Sequence, residues 1–246
     1  MRTVTGRSGL EVADGPLLVT VGVFDGLHLG HVWLLEHLVR EARLRSARPA
    51  VITFDAHPDA ILLGQAPPLL MDPGDRLVRL EALGIDVVVI EHFDDALRRT
   101  AYDAFVAGIE ARCVLAGFVM TPDAAFGHGR AGTPAALAEL GRREGFEVIL
   151  VPPFTLGGRE VRSSEIRTAI ATGDLAEAER LLGRPYGVRG AVRAGVLTFA
   201  MPVALPPGGA YDATVAGVRR GVRVDAGAIA VDGVADGDGV EVVFER

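Results

Sequence analysis

Cysteine is almost missing from this chain: Cys113 is the single thiol in 246 residues. No disulfide can form within the chain, and the apolar run around Cys113 predicts a buried strand residue. Excess positive charge is missing too. A net charge of −7 argues against a nucleic-acid partner or an anionic membrane surface, both of which need a basic face. Only a local basic pocket for phosphates remains open. No apolar run reaches the length of a membrane span, and the first residues lack the basic-then-apolar order of a secretion signal. Together these absences predict a protein of the reducing cytoplasm with no membrane partner. What is present is a 49% hydrophobic composition, enough to bury the core of one large domain and a small one.

Short Val-rich runs alternate with amphipathic stretches through the first three quarters of the chain. Strands are expected at Leu17 to Phe24, Val51 to Phe54, Asp86 to Ile90, Cys113 to Val119 and Glu147 to Val151. Between them, apolar residues at helical spacing predict helices from His31 to Arg45, Asp75 to Leu83, Tyr102 to Ala111 and Pro134 to Glu144. Continuous apolar strands alternating with helices imply an α/β fold with a Rossmann-like parallel sheet covered on both faces. Ligands of such sheets bind beyond the carboxyl ends of the strands. Two more helices follow, roughly Ser164 to Ala171 and Leu175 to Leu182. After Pro185 the texture turns to Gly, Val and Ala with Gly-Asp turns, predicting a small C-terminal all-β module. Its strands are expected at Ala210 to Val218, Val222 to Val224, Ala228 to Val231 and Val240 to Phe244. The expected division is 1–186 and 187–246.

The strongest chemical signal is Gly22-Val23-Phe24-Asp25-Gly26-Leu27-His28-Leu29-Gly30-His31, at the junction of the first long strand and its helix. A helix N-terminus offers unpaired N–H groups and partial positive charge to a polyphosphate. Gly30 lets the backbone approach such a ligand, and His28 and His31 can donate hydrogen bonds to phosphoryl oxygens where charge builds. The other histidines, His37, His57, His92 and His128, form no paired ligand spacing with them, so no metal site is expected from the protein's own side chains. Gly127-His128-Gly129-Arg130-Ala131-Gly132 satisfies GxGxxG, yet it does not directly follow the first strand and no acidic residue closes the next one, which excludes a dinucleotide fingerprint.

The decapeptide from Gly22, with Phe54-Asp55-Ala56-His57-Pro58 and Leu181-Leu182-Gly183-Arg184-Pro185-Tyr186, resembles the bacterial bifunctional riboflavin kinase/FMN adenylyltransferase (FAD synthetase) family. The resemblance implies transfer of AMP from ATP to FMN with Mg²⁺, giving FAD and pyrophosphate. It implies nucleotide contacts from Gly22, Phe24, Asp25, Gly26 and Gly30, and catalytic contacts from His28 and His31. Phe54, His57 and Pro58 would lie near the acceptor, with His57 open equally to a loop-capping role. Val161-Arg162-Ser163-Ser164-Glu165-Ile166-Arg167 resembles the family's second phosphate-handling turn, with Arg162 in place of a serine. There Ser163 and Ser164 would bind nucleotide and Arg167 the leaving pyrophosphate; a plain N-cap and a solvated arginine are the alternative. Residues 121–132 resemble a family loop that seats the acceptor through Asp123 and Phe126, with Ala124 where the family has an aromatic residue. The C-terminal stretch lacks the family's Pro-Thr-Ala-Asn kinase tetrad, so the β-module is expected to be a degenerate kinase. Two other readings stay open: another phosphorylated acceptor, or a non-catalytic flavin or nucleotide sensor.

Overall fold

A computed structural model describes residues 1–245. By its contacts the chain divides into two compact units. One comprises Met1–Phe24, Gly30–Ala66 and Leu77–Phe154; the other comprises Asp25–Leu29, Pro67–Arg76 and the chain from Thr155 onward.

The first unit carries a parallel sheet of six strands. Its elements run β1 (Arg2–Thr5), β2 (Leu17–Val21), α1 (Leu29–Leu44, in this unit from Gly30), β3 (Arg48–Phe54), α2 (Asp59–Leu62), α3 (Pro73–Ala82, in this unit from Leu77), β4 (Val87–Glu91), α4 (Asp95–Arg99), α5 (Tyr102–Glu110), β5 (Leu115–Met120), α6 (Pro134–Glu144) and β6 (Glu147–Leu150). The strand order is β1-β4-β3-β2-β5-β6, every pair parallel. The order reverses at β2 and β5, which makes their carboxyl ends the crevice where such sheets bind ligands. The expected α/β sheet is therefore present, with one strand more than the sequence suggested. β1 is an edge strand of four residues in which only Val4 is buried, too short and too polar to stand out as an apolar run.

Local chemistry explains the helices. Before α6, the Thr133 hydroxyl accepts from Ala136 N at 3.3 Å, Pro134 opens the helix, and Gly145 closes it in the left-handed region at φ 92°. Leu137, Phe105, Val106 and Ile109 from α5 and α6 pack on Leu17, Val19, Ile52 and Phe118 of the sheet. Cys113 is buried as expected, but it lies in the turn before β5 rather than in a strand.

The second unit holds the hairpin β7 (Thr155–Leu156) and β8 (Arg159–Glu160), the helices α7 (Ser163–Ala171) and α8 (Leu175–Leu182), and a barrel. The Asp174 carboxylate caps α8 through Glu177 N at 2.9 Å. The barrel comprises β9 (Gly187–Arg193), β10 (Val196–Thr198), β11 (Gly209–Val215), β12 (Val218–Asp225), β13 (Ala228–Ala230) and β14 (Gly237–Phe244), closed in the order β10-β13-β12-β11-β14-β9. The small all-β module of the sequence is thus a complete antiparallel barrel. The expected strand from Ala210 to Val218 is broken at Ala216-Gly217, a two-residue turn joining β11 to β12. Ala194-Gly195 and Ala226-Gly227 make the same connection elsewhere in the barrel. All three alanines sit at positive φ, between 46° and 50°, where the paired-left-handed hairpin turn normally recruits Asn or Asp.

Candidate functional site

The glycine-histidine segment forms a compressed turn. After β2, Asp25 to Leu27 make a single 3-10 turn, His28 follows, and α1 begins at Leu29, two residues before the expected start. Leu29, Gly30 and His31 therefore occupy the first turn of α1, where backbone N–H groups have no carbonyl to bond within the helix. That turn carries no acidic residue to neutralise them. Three residues of the segment lie at positive φ: Phe24 at 53°, Gly26 at 77° and Leu27 at 39°. For Phe24 and Leu27 this costs on the order of 1–2 kcal/mol each, and both are held there by burial. At Gly26 a Cβ would stand 3.0 Å from Leu70, tighter than ordinary contact, and the φ of 77° strains any L side chain.

In the barrel-bearing unit, the turn is pinned through Asp25. Its two carboxylate oxygens each accept from Leu70 N at 3.0 Å, and Oδ2 also accepts from Arg167 Nη2 at 2.5 Å. The Ser163 hydroxyl donates to the Asp25 carbonyl at 3.3 Å. Arg162, not a serine, occupies the N-cap position of α7 and makes no side-chain cap, so Ser163 is free of capping duty and reaches the turn instead. Ser164 is exposed, and its carbonyl accepts from the Thr168 hydroxyl. Arg167 also donates Nε to Pro68 O at 2.8 Å; it is not the solvated face residue that the plainer alternative describes.

Two further arginines, not singled out by sequence, complete the surroundings. Arg184 donates Nη2 to Gly26 O at 2.6 Å and Nη1 to Leu27 O at 3.3 Å. Arg76 is buried, with its charge supported by Asp25 and Asp72. Arg184 stood in a motif quoted only as a family marker, and Arg76 had no signal at all in an ordinary helix. His28 is 4% exposed. Burial, then the nearby charges of Arg184 and Arg167, push its pKa down to about 4. It is a neutral imidazole at pH 7, able to donate one N–H without bringing a charge of its own. The cluster has more guanidinium than carboxylate, the composition that suits a polyphosphate.

In the sheet unit, Gly22 N donates to Ile52 O at 3.0 Å, and the Phe24 ring meets the His31 ring edge-on at 5.2 Å. At the carboxyl end of β3, Phe54 packs edge-on against Phe93 at 5.4 Å. His57 Nδ1 accepts from Asp59 N at 3.2 Å, so the ring caps the short α2 that Pro58 opens. This bond is the loop-capping role that the sequence left open. Asp55, the neighbour of Phe54, takes a 2.5 Å hydrogen bond from His92.

The loop after β5 is built around its own packing. Asp123 is exposed, its carboxylate accepting from the Thr121 hydroxyl at 2.7 Å. Phe126 is turned inward, 5.2 Å from the Phe105 ring and 5.5 Å from that of Phe118, and Ala124 packs against the same core. Among the described residues no cluster of three or more His, Cys, Asp or Glu is arranged to hold a metal, and no helix is long and apolar enough to cross a membrane.

Comparison with known proteins agrees with these motifs. The chain is 35% identical over 176 residues to the bifunctional riboflavin kinase/FMN adenylyltransferase of Haemophilus influenzae, a match covering 71% of this chain and 57% of that protein. It is 32% identical over 196 residues to the protein of the same name from Escherichia coli K12, covering 78% and 62%. These matches span about three fifths of each relative's length. The crystal structure of a macrolide-efflux protein from Streptococcus pneumoniae shares the fold, with a TM-score of 0.82 and 23% identity, covering 99% of this chain and 89% of that one. The family model for FAD synthetase matches residues 11–165, which takes in the turn from Gly22 to His31, the segment from Phe54 to Pro58 and the two serines that open α7: the chain belongs to the FAD synthetase family.

Proposed function

We propose that this protein is a nucleotidylyltransferase that transfers AMP from ATP to FMN, releasing FAD and pyrophosphate. The observation that carries this reading is the joining of two phosphate-handling segments. Ser163 and Arg167 of α7 bond directly to Asp25, across 138 and 142 positions of sequence. In this reading a phosphate oxygen of FMN attacks the α-phosphorus of ATP in line, and the bond from that phosphorus to the α,β-bridging oxygen breaks. The electron pair leaves on pyrophosphate, so the transfer needs positioning and charge stabilisation rather than a protein nucleophile.

The roles follow from chemistry. His28 and the first-turn amides of α1 donate to phosphoryl oxygens, and Gly30 allows the close approach. His31, in the same first turn of the helix, adds a second imidazole donor. Arg167, with two of its five N–H groups committed to Asp25 and Pro68, keeps the remaining donors for the departing pyrophosphate. Ser163 and Ser164 border the nucleotide, as do Gly22, Phe24, Asp25 and Gly26. Phe54, His57 and Pro58 are assigned to the flavin, together with Asp123. Phe126 supports the loop from inside. Mg²⁺ enters with ATP as the substrate MgATP; an ion of this kind is held largely by substrate phosphates and water. The adenylyl chemistry is assigned to residues 1–186 and none to the barrel, 187–246, with the cytoplasm as the place of work.

FMN, ATP and Mg²⁺ incubated with the protein should give FAD and pyrophosphate in equal amounts, while riboflavin in place of FMN should give no dinucleotide. A second acceptor is favoured by one observation: Ala124 and Phe126 both pack on the core, so the loop's only phenyl ring is turned away from an acceptor. Product masses from a panel of phosphorylated acceptors decide between the two, and absence of turnover with every acceptor would identify a binding protein instead.

A further inference from the structure

Residues 68–70 make a set of backbone bonds that the adenylyl reading does not require. The middle residue faces the barrel's long loop. Leu69 N donates to Pro202 O at 2.9 Å, and Ala204 N donates to Leu69 O at 2.8 Å, forming an isolated parallel bridge between Leu69 and Val203. Its two neighbours face the other way. Pro68 O accepts from Arg167 Nε, and Leu70 N donates to the Asp25 carboxylate. This is the alternation of an extended strand, whose backbone groups point to opposite sides residue by residue. Pro67 and Pro68 fix their own φ angles, so the segment approaches as a stiff piece. Leu70 is buried against the turn, 3.0 Å from where a Cβ on Gly26 would stand.

The loop that grips Leu69 is itself fixed by Tyr186. That hydroxyl donates to Ala204 O at 2.5 Å, the ring is buried and lies parallel to Phe244 of β14 at 6.1 Å, and the oxygen stands within the field of Asp25, Arg167 and Arg184. Two residues earlier Arg184 holds the carbonyls of Gly26 and Leu27. The turn is thus gripped from two directions, and both grips lead to the barrel. We propose that residues 68–70 are a strap by which the barrel holds Asp25 and Arg167 in place, with Tyr186 as a positioning residue for the phosphate turn. The barrel's work in this chain is then to keep the turn's geometry. The proposal rests on the adenylyl reading of the turn.

Tyr186→Phe tests it, because the ring stays and only the hydroxyl leaves the Ala204 carbonyl. Ile229→Val, in the barrel's buried interior, serves as a control that loosens the barrel without touching the strap. Both are measured in the full chain, with turnover expressed per folded molecule. Tyr186→Phe should lower kcat at least about tenfold, as expected when reacting groups drift from alignment, while KM for FMN stays within about twofold. Ile229→Val should change neither. Independently of turnover, the imidazole titration of His28, followed by NMR without ligand, should move up from about 4 in Tyr186→Phe and stay put in Ile229→Val. Unchanged kcat and unchanged titration in Tyr186→Phe, or equal changes in both variants, overturn the strap. If the wild-type protein makes neither FAD nor pyrophosphate, the adenylyl reading fails by itself. The titration then decides: a shift confined to Tyr186→Phe supports the strap, and none overturns it.

Discussion

Arg167 Nη2 lies 2.5 Å from Asp25 Oδ2, joining two segments 142 residues apart. A buried ion pair contributes little net stability once desolvation is counted, but removing one partner leaves the other charged and dry. The pair is therefore better understood as a fixture that sets geometry than as a source of folding energy.

From this follows the first expectation. Arg167→Lys cannot keep both the Pro68 carbonyl and the Asp25 carboxylate, because an ammonium lacks the planar fork. Its kcat/KM for ATP should fall by about 100-fold, and a lysine variant that saturates with ATP as wild type does would remove Arg167 from the site. Asp25→Asn should destabilise the fold by about 3 kcal/mol, measured from the urea midpoint.

The histidines should respond differently from one another. Either His28→Ala or His31→Ala should reduce turnover at least ~100-fold through loss of a transition-state donor, with FMN affinity nearly unchanged. The stability effects part company: His28 is buried while His31 is only partly so, so thermal unfolding should register the first substitution far more than the second.

His28 also predicts a pH dependence of stability. Its folded pKa, about 4, lies below the ordinary 6.5. Below pH 6.5 the unfolded chain takes up a proton that the folded one refuses, so stability falls as pH drops from 6.5 toward 4. A shift of this size corresponds to about 3 kcal/mol. Chemical denaturation across that window should show the slope, and His28→Gln should flatten it; an identical slope in the variant would contradict the assignment.

The barrel's alanine turns offer a gain rather than a loss. Ala216 and Ala226 hold left-handed conformations that cost an L-residue roughly 1–2 kcal/mol and that Asn tolerates better. Both are exposed, so Ala216→Asn and Ala226→Asn should each stabilise by about 0.5 kcal/mol and raise Tm together. A lowered Tm would mean the turns have another geometry in solution.

Riboflavin kinase activity is expected to be absent. The stretch from Ala194 to Pro207 has Thr198 as its only hydroxyl-bearing aliphatic residue. Glu241, a carboxylate on β14, lies 3.5 Å from Arg189 in an ion pair. Formation of FMN from riboflavin and ATP by the purified chain would reverse this expectation.

Much of the site was legible because its chemistry is contiguous. Asp25 to His31 and Ser163 to Arg167 each carry their meaning in a few adjacent residues, and the alternation of Val-rich runs with amphipathic helices announced the parallel sheet. What stayed hidden depends on partners far along the chain. Pro67 to Leu70 carried no signal, since the bonds it makes are from backbone groups that every residue has. Arg184 acts on carbonyls, which leave no trace in composition. The Ala-Gly turns misled for a related reason: alanine carries no preference for positive φ, so β11 was expected to continue through Ala216.

The order in which the pieces of the turn are made has its own consequence. Asp25 to His28 emerge early in synthesis, whereas Arg167, Arg184 and Tyr186 emerge more than a hundred residues later. Domains form as their residues become available, so a partly translated chain can assemble most of its sheet while the turn still lacks its anchors. A ribosome-bound fragment ending before Arg167 has the histidines but none of the side chains that anchor the turn around them.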